Sequence, residues 1–329
     1  MPRRFLVTGG AGYVGSHLVA ALVERGDTVV VLDNLRTGHR AAVPPNARLV
    51  VADLADAGVV DELLADGPWH AVFHFAALSQ VGESMRLPFR YLIDNAISGM
   101  ALIEACVRHR VTRFVLSSTA AVYGTPKTVP IPEDAPFASE SPYGDSKWFL
   151  ERALLWAERV HGLHHASLRY FNAAGADPGG RLGEDHRPET HLVPLVIDAA
   201  LSRRAELEVF GDDYPTSDGT CLRDYVHVTD LADAHLLALD RIEGGSIVVN
   251  LGCGTGHSVL QVIDAVQRVS GRKVPYRIRA RRAGDPAALV ASSEKARAEL
   301  GWRPRFADLD EIVRTALLWR EAHPHGYGG

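Results

Sequence analysis

The stretch Phe5–Leu18, FLVTGGAGYVGSHL, constrains the fold more than any other part of the chain. A short apolar run leads into Gly9, Gly10, Gly12 and Gly15, and an apolar-periodic segment follows. That order predicts a strand, a tight turn and a helix, because glycine reaches backbone conformations closed to other residues. Gly10-x-Gly12-x-x-Gly15 is the dinucleotide-binding spacing, and Gly9-x-x-Gly12-x-x-Gly15 gives an equivalent cradle. Either lets backbone N–H groups at a helix N-terminus approach a pyrophosphate. A second strand, VVVLDN, ends in Asp33 about 20 residues on. There a carboxylate can accept hydrogen bonds from both ribose hydroxyls of an adenosine and repel a 2′-phosphate, which favours NAD over NADP. Arg36 is close enough in sequence to soften that repulsion. Asp53, after the run LVV, is placed either for an adenine amino group or as an ordinary strand-end carboxylate.

Short β-branched runs alternate with longer amphipathic segments through the first half: RFLVTG, TVVVLD, ARLVVAD, HAVFHFAA, RFVLSS and HHASLRYFN. Strands with little polar alternation are buried on both faces, and their alternation with helices implies βαβ units. The expected fold is α/β, a doubly wound parallel sheet (Rossmann) over residues 1–172, with a smaller C-terminal α/β substrate-binding lobe over 173–329. The chain is expected to recross to the first domain. The stretch AAGADPGGRLGEDHRPETH, rich in glycine, proline and charge, reads as loop. Beyond it, helices are expected at Leu192–Ser202, Asp230–Ile242, Ser258–Ser270 and Leu309–Glu321. Strands are expected at Leu207–Phe210, Tyr225–His227, Ile247–Leu251 and Val274–Ile278.

SPYGDSKWFLERAL places Tyr143 and Lys147 one helical turn apart. Free tyrosine is a poor base at neutral pH. A nearby ammonium and a positively charged nicotinamide both favour the phenolate, so Tyr143 becomes a general base suited to a hydroxyl proton. Lys147 can also bridge the nicotinamide ribose. The strand RFVLSST ends in Ser117, Ser118 and Thr119, where hydroxyls can hydrogen-bond a reacting oxygen.

Composition narrows the alternatives. A net charge of −5 over 329 residues, without a long basic run, argues against a nucleic-acid partner. No run approaches the ~18 apolar residues of a membrane span, and the N-terminal residues do not read as a secretory signal. Cys106, Cys221 and Cys253 are sparse and fit buried free thiols in a reduced, cytoplasmic compartment. The histidines are scattered along the chain, so no metal is expected.

Taken with VTGGAGYVGSH, VLDNL, HFAALSQVGES, SSTAAVYG, SPYGDSK, LRYFNAAGADP, VFGDDYPTSDGTCLRDYVHVTDLADAH, NLGCGTGHSV and HPHGYGG, these motifs resemble the extended short-chain dehydrogenase/reductase family. Within it, the chain is similar to the UDP-glucose 4-epimerase branch nearly end to end. The resemblance implies Tyr143 as base, Lys147 as its helper and Thr119 as the hydroxyl on the sugar O4. It implies NAD contacts at Gly9, Gly12, Tyr13, Val14 and Gly15, at Asp33, Asn34, Asp53 and Leu54, and at Phe75, Ala76, Ala77, Asn95, Ser117, Tyr143, Lys147 and Tyr170. It implies UDP-sugar contacts at Thr119, Tyr143, Asn172, Leu192, Phe210 (through its backbone), Arg223, Arg282 and Asp285. His191, where some relatives carry asparagine, is either a ligand-facing donor or a solvated loop residue. Ser79 stands where several relatives have lysine. His227 reads as structural.

The implied reaction is inversion at C4 of a UDP-hexose through a 4-keto intermediate. Ala120 and Ala121 carry no transferable proton, which argues against a dehydratase of the same superfamily. Leu289 falls where side-chain bulk decides whether an N-acetyl group fits. Epimerases of N-acetylated, uronate or pentose UDP-sugars remain alternatives, as does a silent NAD-binding regulator. A homodimer is expected by analogy, with Ile97–His109 and Trp148–Arg159 as candidate faces.

Overall fold

The computed structural model describes residues 3–282 and 284–328. Its main sheet has seven parallel strands, β1 (Arg4–Thr8), β2 (Thr28–Asp33), β3 (Arg48–Val51), β4 (Ala71–His74), β5 (Arg113–Thr119), β6 (His164–Tyr170) and β10 (Ile247–Leu251), in the order β10-β6-β5-β4-β1-β2-β3. The strand order reverses at β1, with β2 on one side and β4 on the other. In open parallel sheets the crevice beyond the strand C-termini at such a reversal is where ligands bind.

Helices cover both faces, as the unalternating strands require. α1 (Tyr13–Glu24), α2 (Ala57–Ala65), α3 (Val81–Ser84), α4 (Pro88–Tyr91), α5 (Ser98–Arg108) and α6 (Pro142–His161) belong to the first half. Leu18, Val19 and Leu22 of α1 join Leu231, Ala234 and Leu239 of α8 (Val228–Arg241) against one face of the sheet. Leu63 and Leu64 of α2, Leu102 and Cys106 of α5, and Leu150 and Leu154 of α6 cover the other. Residues beyond 173 therefore supply both an edge strand and a covering helix to the first sheet.

The remaining strands form smaller pieces. β7 (Asn172–Ala174), β9 (Leu222–His227), β11 (Gly256–Ser258) and β13 (Ala288–Leu289) make a second sheet centred on β9. β8 (Leu207–Phe210) and β12 (Tyr276–Arg279) pair in parallel. A third core packs α7 (Leu192–Ala200), α9 (Val259–Ser270) and α11 (Leu309–Ala322) through Val196, Ile197, Val262, Val266, Ile312 and Val313. α10 (Glu294–Leu300) lies against α8 and β10. The four helices expected beyond residue 190 form within two residues of their expected ends. β7, β11 and β13 have two or three residues each and give no periodic signal in sequence. Among the described residues no helix is long and apolar enough to cross a membrane.

Candidate active site

A cleft of about 850 Å³ opens beyond the C-terminal ends of β1, β4 and β5 and runs between the two sheets. Its first wall is the glycine turn. Gly9 has φ +72°, and a Cβ there would stand 2.4 Å from the Ala76 nitrogen; a Cβ on Gly15 would stand 2.3 Å from the Gly9 oxygen. The turn therefore admits no side chain at these positions and presents bare backbone at the start of α1. Gly12 caps α1 without a side-chain bond, which leaves the helix's first N–H groups open to an anion.

Asp33, at the end of β2, accepts hydrogen bonds from Ala11 N (3.0 Å) and Leu35 N (2.9 Å), which fixes its carboxylate against the turn. Arg36 does not soften it. Its guanidinium is engaged by Asp94 at 3.1 Å and Asp53 at 3.4 Å. Asp53 also accepts from Asn34 Nδ2 at 2.9 Å. The Ala55 N–H and that Asn34 amide hold its carboxyl below the usual carboxylate range. This wall fits a dinucleotide whose adenosine ribose carries free hydroxyls. Asn95 borders the cleft, but its amide is engaged by the Leu78 backbone (2.8 and 2.9 Å) and Ser146 Oγ (3.2 Å), so it holds the Ala76–Leu78 loop in place.

The second wall joins β5 to α6. Ser141 caps α6, its Oγ accepting from Gly144 N at 3.1 Å, and Pro142 starts the first turn. The helix then projects Tyr143 and Lys147 into the cleft. Lys147 is only 1% exposed and donates to the Ser117 carbonyl at 2.8 Å. Burial pulls its ammonium down to about 8. Burial likewise pushes the Tyr143 phenol up, opposed by a hydrogen bond with Thr119. The expected lowering by Lys147 is not what this protein supplies by itself: the ammonium is turned to the Ser117 carbonyl, and desolvation of the phenol outweighs the remaining help.

Ser117 and Thr119 line the cleft, and Ser117 Oγ lies 2.5 Å from the Tyr170 hydroxyl. Ser118 does not share their role. Strand alternation turns it to the opposite face, where it donates to Glu151 Oε1 at 2.5 Å. Glu151 in turn forms a buried pair with Arg169, at 2.6 Å for the closest contact.

The third wall carries the expected UDP-sugar contacts. Asn172, His191, Leu192, Arg223, Arg282, Asp285 and Leu289 all line the cleft, as does Ser79. Arg223 donates to the carbonyls of Leu222 and Pro286 and pairs with Asp285 at 3.2 Å. Arg282 lies 3.9 Å over the Phe210 ring. The Phe210 ring thus packs against Arg282, while the contact expected of Phe210 is through its backbone. His227 is fully buried, stacked on Phe306 and bonded to Thr315 Oγ1 at 3.0 Å, as its structural reading anticipates.

His191 borders the cleft with its side chain 42% exposed, and its Nδ1 is hydrogen-bonded to buried Glu184. Glu184, His186, Glu189 and His191 converge in the loop before α7. Sequence reasoning missed Glu184, His186 and Glu189. Their only trace there is the alternation Glu-x-His-x-x-Glu-x-His within a segment read as loop.

Three comparisons bear on this geometry. The model of the NAD dependent epimerase/dehydratase family matches residues 5–252. The chain is 48% identical to the UDP-glucose 4-epimerase of Lacticaseibacillus casei over 324 residues, 98% of each chain. It is similar to the crystal structure of the Brucella ovis UDP-glucose 4-epimerase in complex with NAD, with a TM-score of 0.93 and 44% identity over 96% of this chain and 97% of that one. The Bifidobacterium longum enzyme in complex with NAD+ and UDP gives a TM-score of 0.93 and 37% identity over 98% of this chain and 99% of that one.

Proposed function

The chain belongs to the NAD dependent epimerase/dehydratase family, and we propose that it inverts the C4 hydroxyl of a UDP-hexose with NAD as cofactor, interconverting UDP-glucose and UDP-galactose. The observation that carries this reading is one cleft lined by a bare glycine turn, by Arg223 and Arg282, and by a half-buried Tyr143 hydrogen-bonded to Thr119. NAD+, held by the glycine turn, would supply a reversible hydride acceptor for the sugar C4 and a positive charge that favours the Tyr143 phenolate.

Gly9, Gly12 and Gly15 hold the pyrophosphate and Asp33 the adenosine ribose. Tyr143 Oη takes the proton of the 4-hydroxyl and later returns it, so no proton is gained or lost overall. Thr119 orients the sugar oxygen toward that phenol. Lys147, one helical turn from Tyr143, is tied to the Ser117 carbonyl and holds a buried ammonium in the cleft wall. Arg223 and Arg282 clamp the diphosphate. The hexose is anchored through the diphosphate and is free to turn about that end.

The test is an equilibrium assay of the NAD-loaded protein with UDP-glucose, UDP-GlcNAc, UDP-glucuronate and UDP-xylose in parallel. UDP-galactose should form from UDP-glucose faster than any other product forms. No interconversion of UDP-glucose would overturn the reading. Leu289, at the cleft wall, supports the plain hexose.

A homodimer is the assembly we infer, through Ile97–His109 and Trp148–Arg159. Trp156 and Val160 of α6 are 55% and 64% exposed, and Ile97 and Met100 add apolar surface beside them. Sedimentation should give twice the chain mass for the native protein and the chain mass for Trp156→Glu. The compartment we propose is the cytoplasm, which suits three free thiols.

A further inference from the structure

We propose that Glu184, His186, Glu189 and His191 form a site for one divalent transition-metal ion of the zinc class, set in the wall of the cleft and apart from the Tyr143–Lys147 centre. One donor atom from each residue lies within 4.8 Å of the other three. His186 Nδ1 is 3.1 Å from Glu184 Oε1 and 3.7 Å from Glu189 Oε1. His191 Nδ1 is 3.6 Å from Glu189 Oε1 and in direct contact with Glu184 Oε1. A tetrahedral ion with bonds of ~2.0–2.1 Å keeps its donors about 3.3 Å apart. The observed edges bracket that spacing, so an ion enters with small side-chain adjustments. Two imidazoles and two carboxylates make a borderline donor set that suits zinc; calcium and magnesium take six or more oxygens.

A second observation points the same way. The Glu184 and Glu189 side chains are 7% and 9% exposed, and among the described residues their ion-pair partners are His186 and His191 alone. Glu189 Oε1 accepts from the Thr190 and His191 backbone N–H groups, while its Oε2 is buried without a hydrogen-bond partner. Two buried carboxylates need a compensating cation, and one divalent ion supplies that charge while both imidazoles stay neutral. His186 and His191 both border the cleft, which gives an ion its entry path. The ion would tie the loop to the start of α7 behind Tyr13, whose ring packs edge-on against His186 at 6.2 Å. The scatter of the histidines, which argued against a metal in the sequence, does not apply here. The donors come from a folded loop rather than a helix face.

The test uses the full-length protein, stripped with a chelator, desalted and titrated with zinc chloride alone. One equivalent per chain should bind with a dissociation constant of about 1 μM or tighter. His186→Asn and Glu189→Gln should each weaken it at least ~10-fold. Cobalt(II) alone should give the intense visible absorption of a tetrahedral site in the native protein and lose it in both variants. No zinc retained after gel filtration, or undiminished zinc and cobalt binding in both variants, overturns the site and leaves two protonated histidines as the counter-ions. If one variant fails to fold, the other and the native cobalt spectrum decide.

Discussion

The Lys147 ammonium donates to the Ser117 carbonyl at 2.8 Å, joining α6 to the end of β5 at a point closed to water. Desolvation lowers the folded-state pKa to about 8, from 10.5 in the unfolded chain. Between those values the unfolded chain binds more protons than the folded one, so this group adds stability as pH rises from about 8 to 10.5; below about 8 its buried charge opposes folding. Lys147→Met removes the term. The native protein should gain stability relative to that variant across this window, by on the order of 3 kcal/mol, read as the difference in urea midpoints at each pH. A difference independent of pH would show that the ammonium is not the buried titrating group.

Tyr143→Phe deletes the proposed base and leaves the packing against Tyr91 (ring centroids 6.4 Å apart) largely intact. Turnover of UDP-glucose should fall by roughly 10²–10⁴-fold, the usual range for losing a general base, with NAD content and melting temperature near native. Native turnover would remove the phenol from the chemistry.

Gly15→Ala places a methyl 2.3 Å from the Gly9 oxygen, a backbone atom that cannot swing aside. The turn must open to accept it. We expect a stability cost of about 1–3 kcal/mol and a large loss of NAD from the purified protein, read by absorbance after denaturation. Gly26→Ala has nothing within 4 Å of the new methyl. Its φ of +84° makes it a control for backbone strain without loss of the cradle.

Glu151→Ala leaves the Arg169 guanidinium buried behind β5 without its carboxylate, and removes the acceptor that Ser118 uses. Breaking such a pair from one side costs about 3–5 kcal/mol. Replacing both partners, as Glu151→Leu with Arg169→Met, should cost less than the single change. Chemical denaturation of the three proteins checks the order.

The glycine turn, the strand carrying Asp33 and the Tyr143–Lys147 turn are legible in the sequence because each is local: the residues that meet are neighbours on one strand or one helical turn. The two faces of the main sheet are legible for the same reason, through unbroken apolar runs. What escapes is set by pairs distant in sequence. Ser118 looks like its neighbours until β5 acquires a face toward Glu151, 33 residues on. Arg36 looks free to meet a 2′-phosphate until Asp94 takes it, 58 residues on. The histidine–glutamate loop shows no helical or strand period, so its convergence appears only once the loop is folded.

β10 enters the main sheet beside β6 only after the chain has visited the second sheet at β7 and β9. A fragment ending at residue 172 would thus bare the backbone amides and carbonyls of β6 and the apolar flank that α8 conceals, an invitation to intermolecular strand pairing. The enzyme has no seam along which its nucleotide half can be excised, so gene fusion or circular permutation must respect the whole chain.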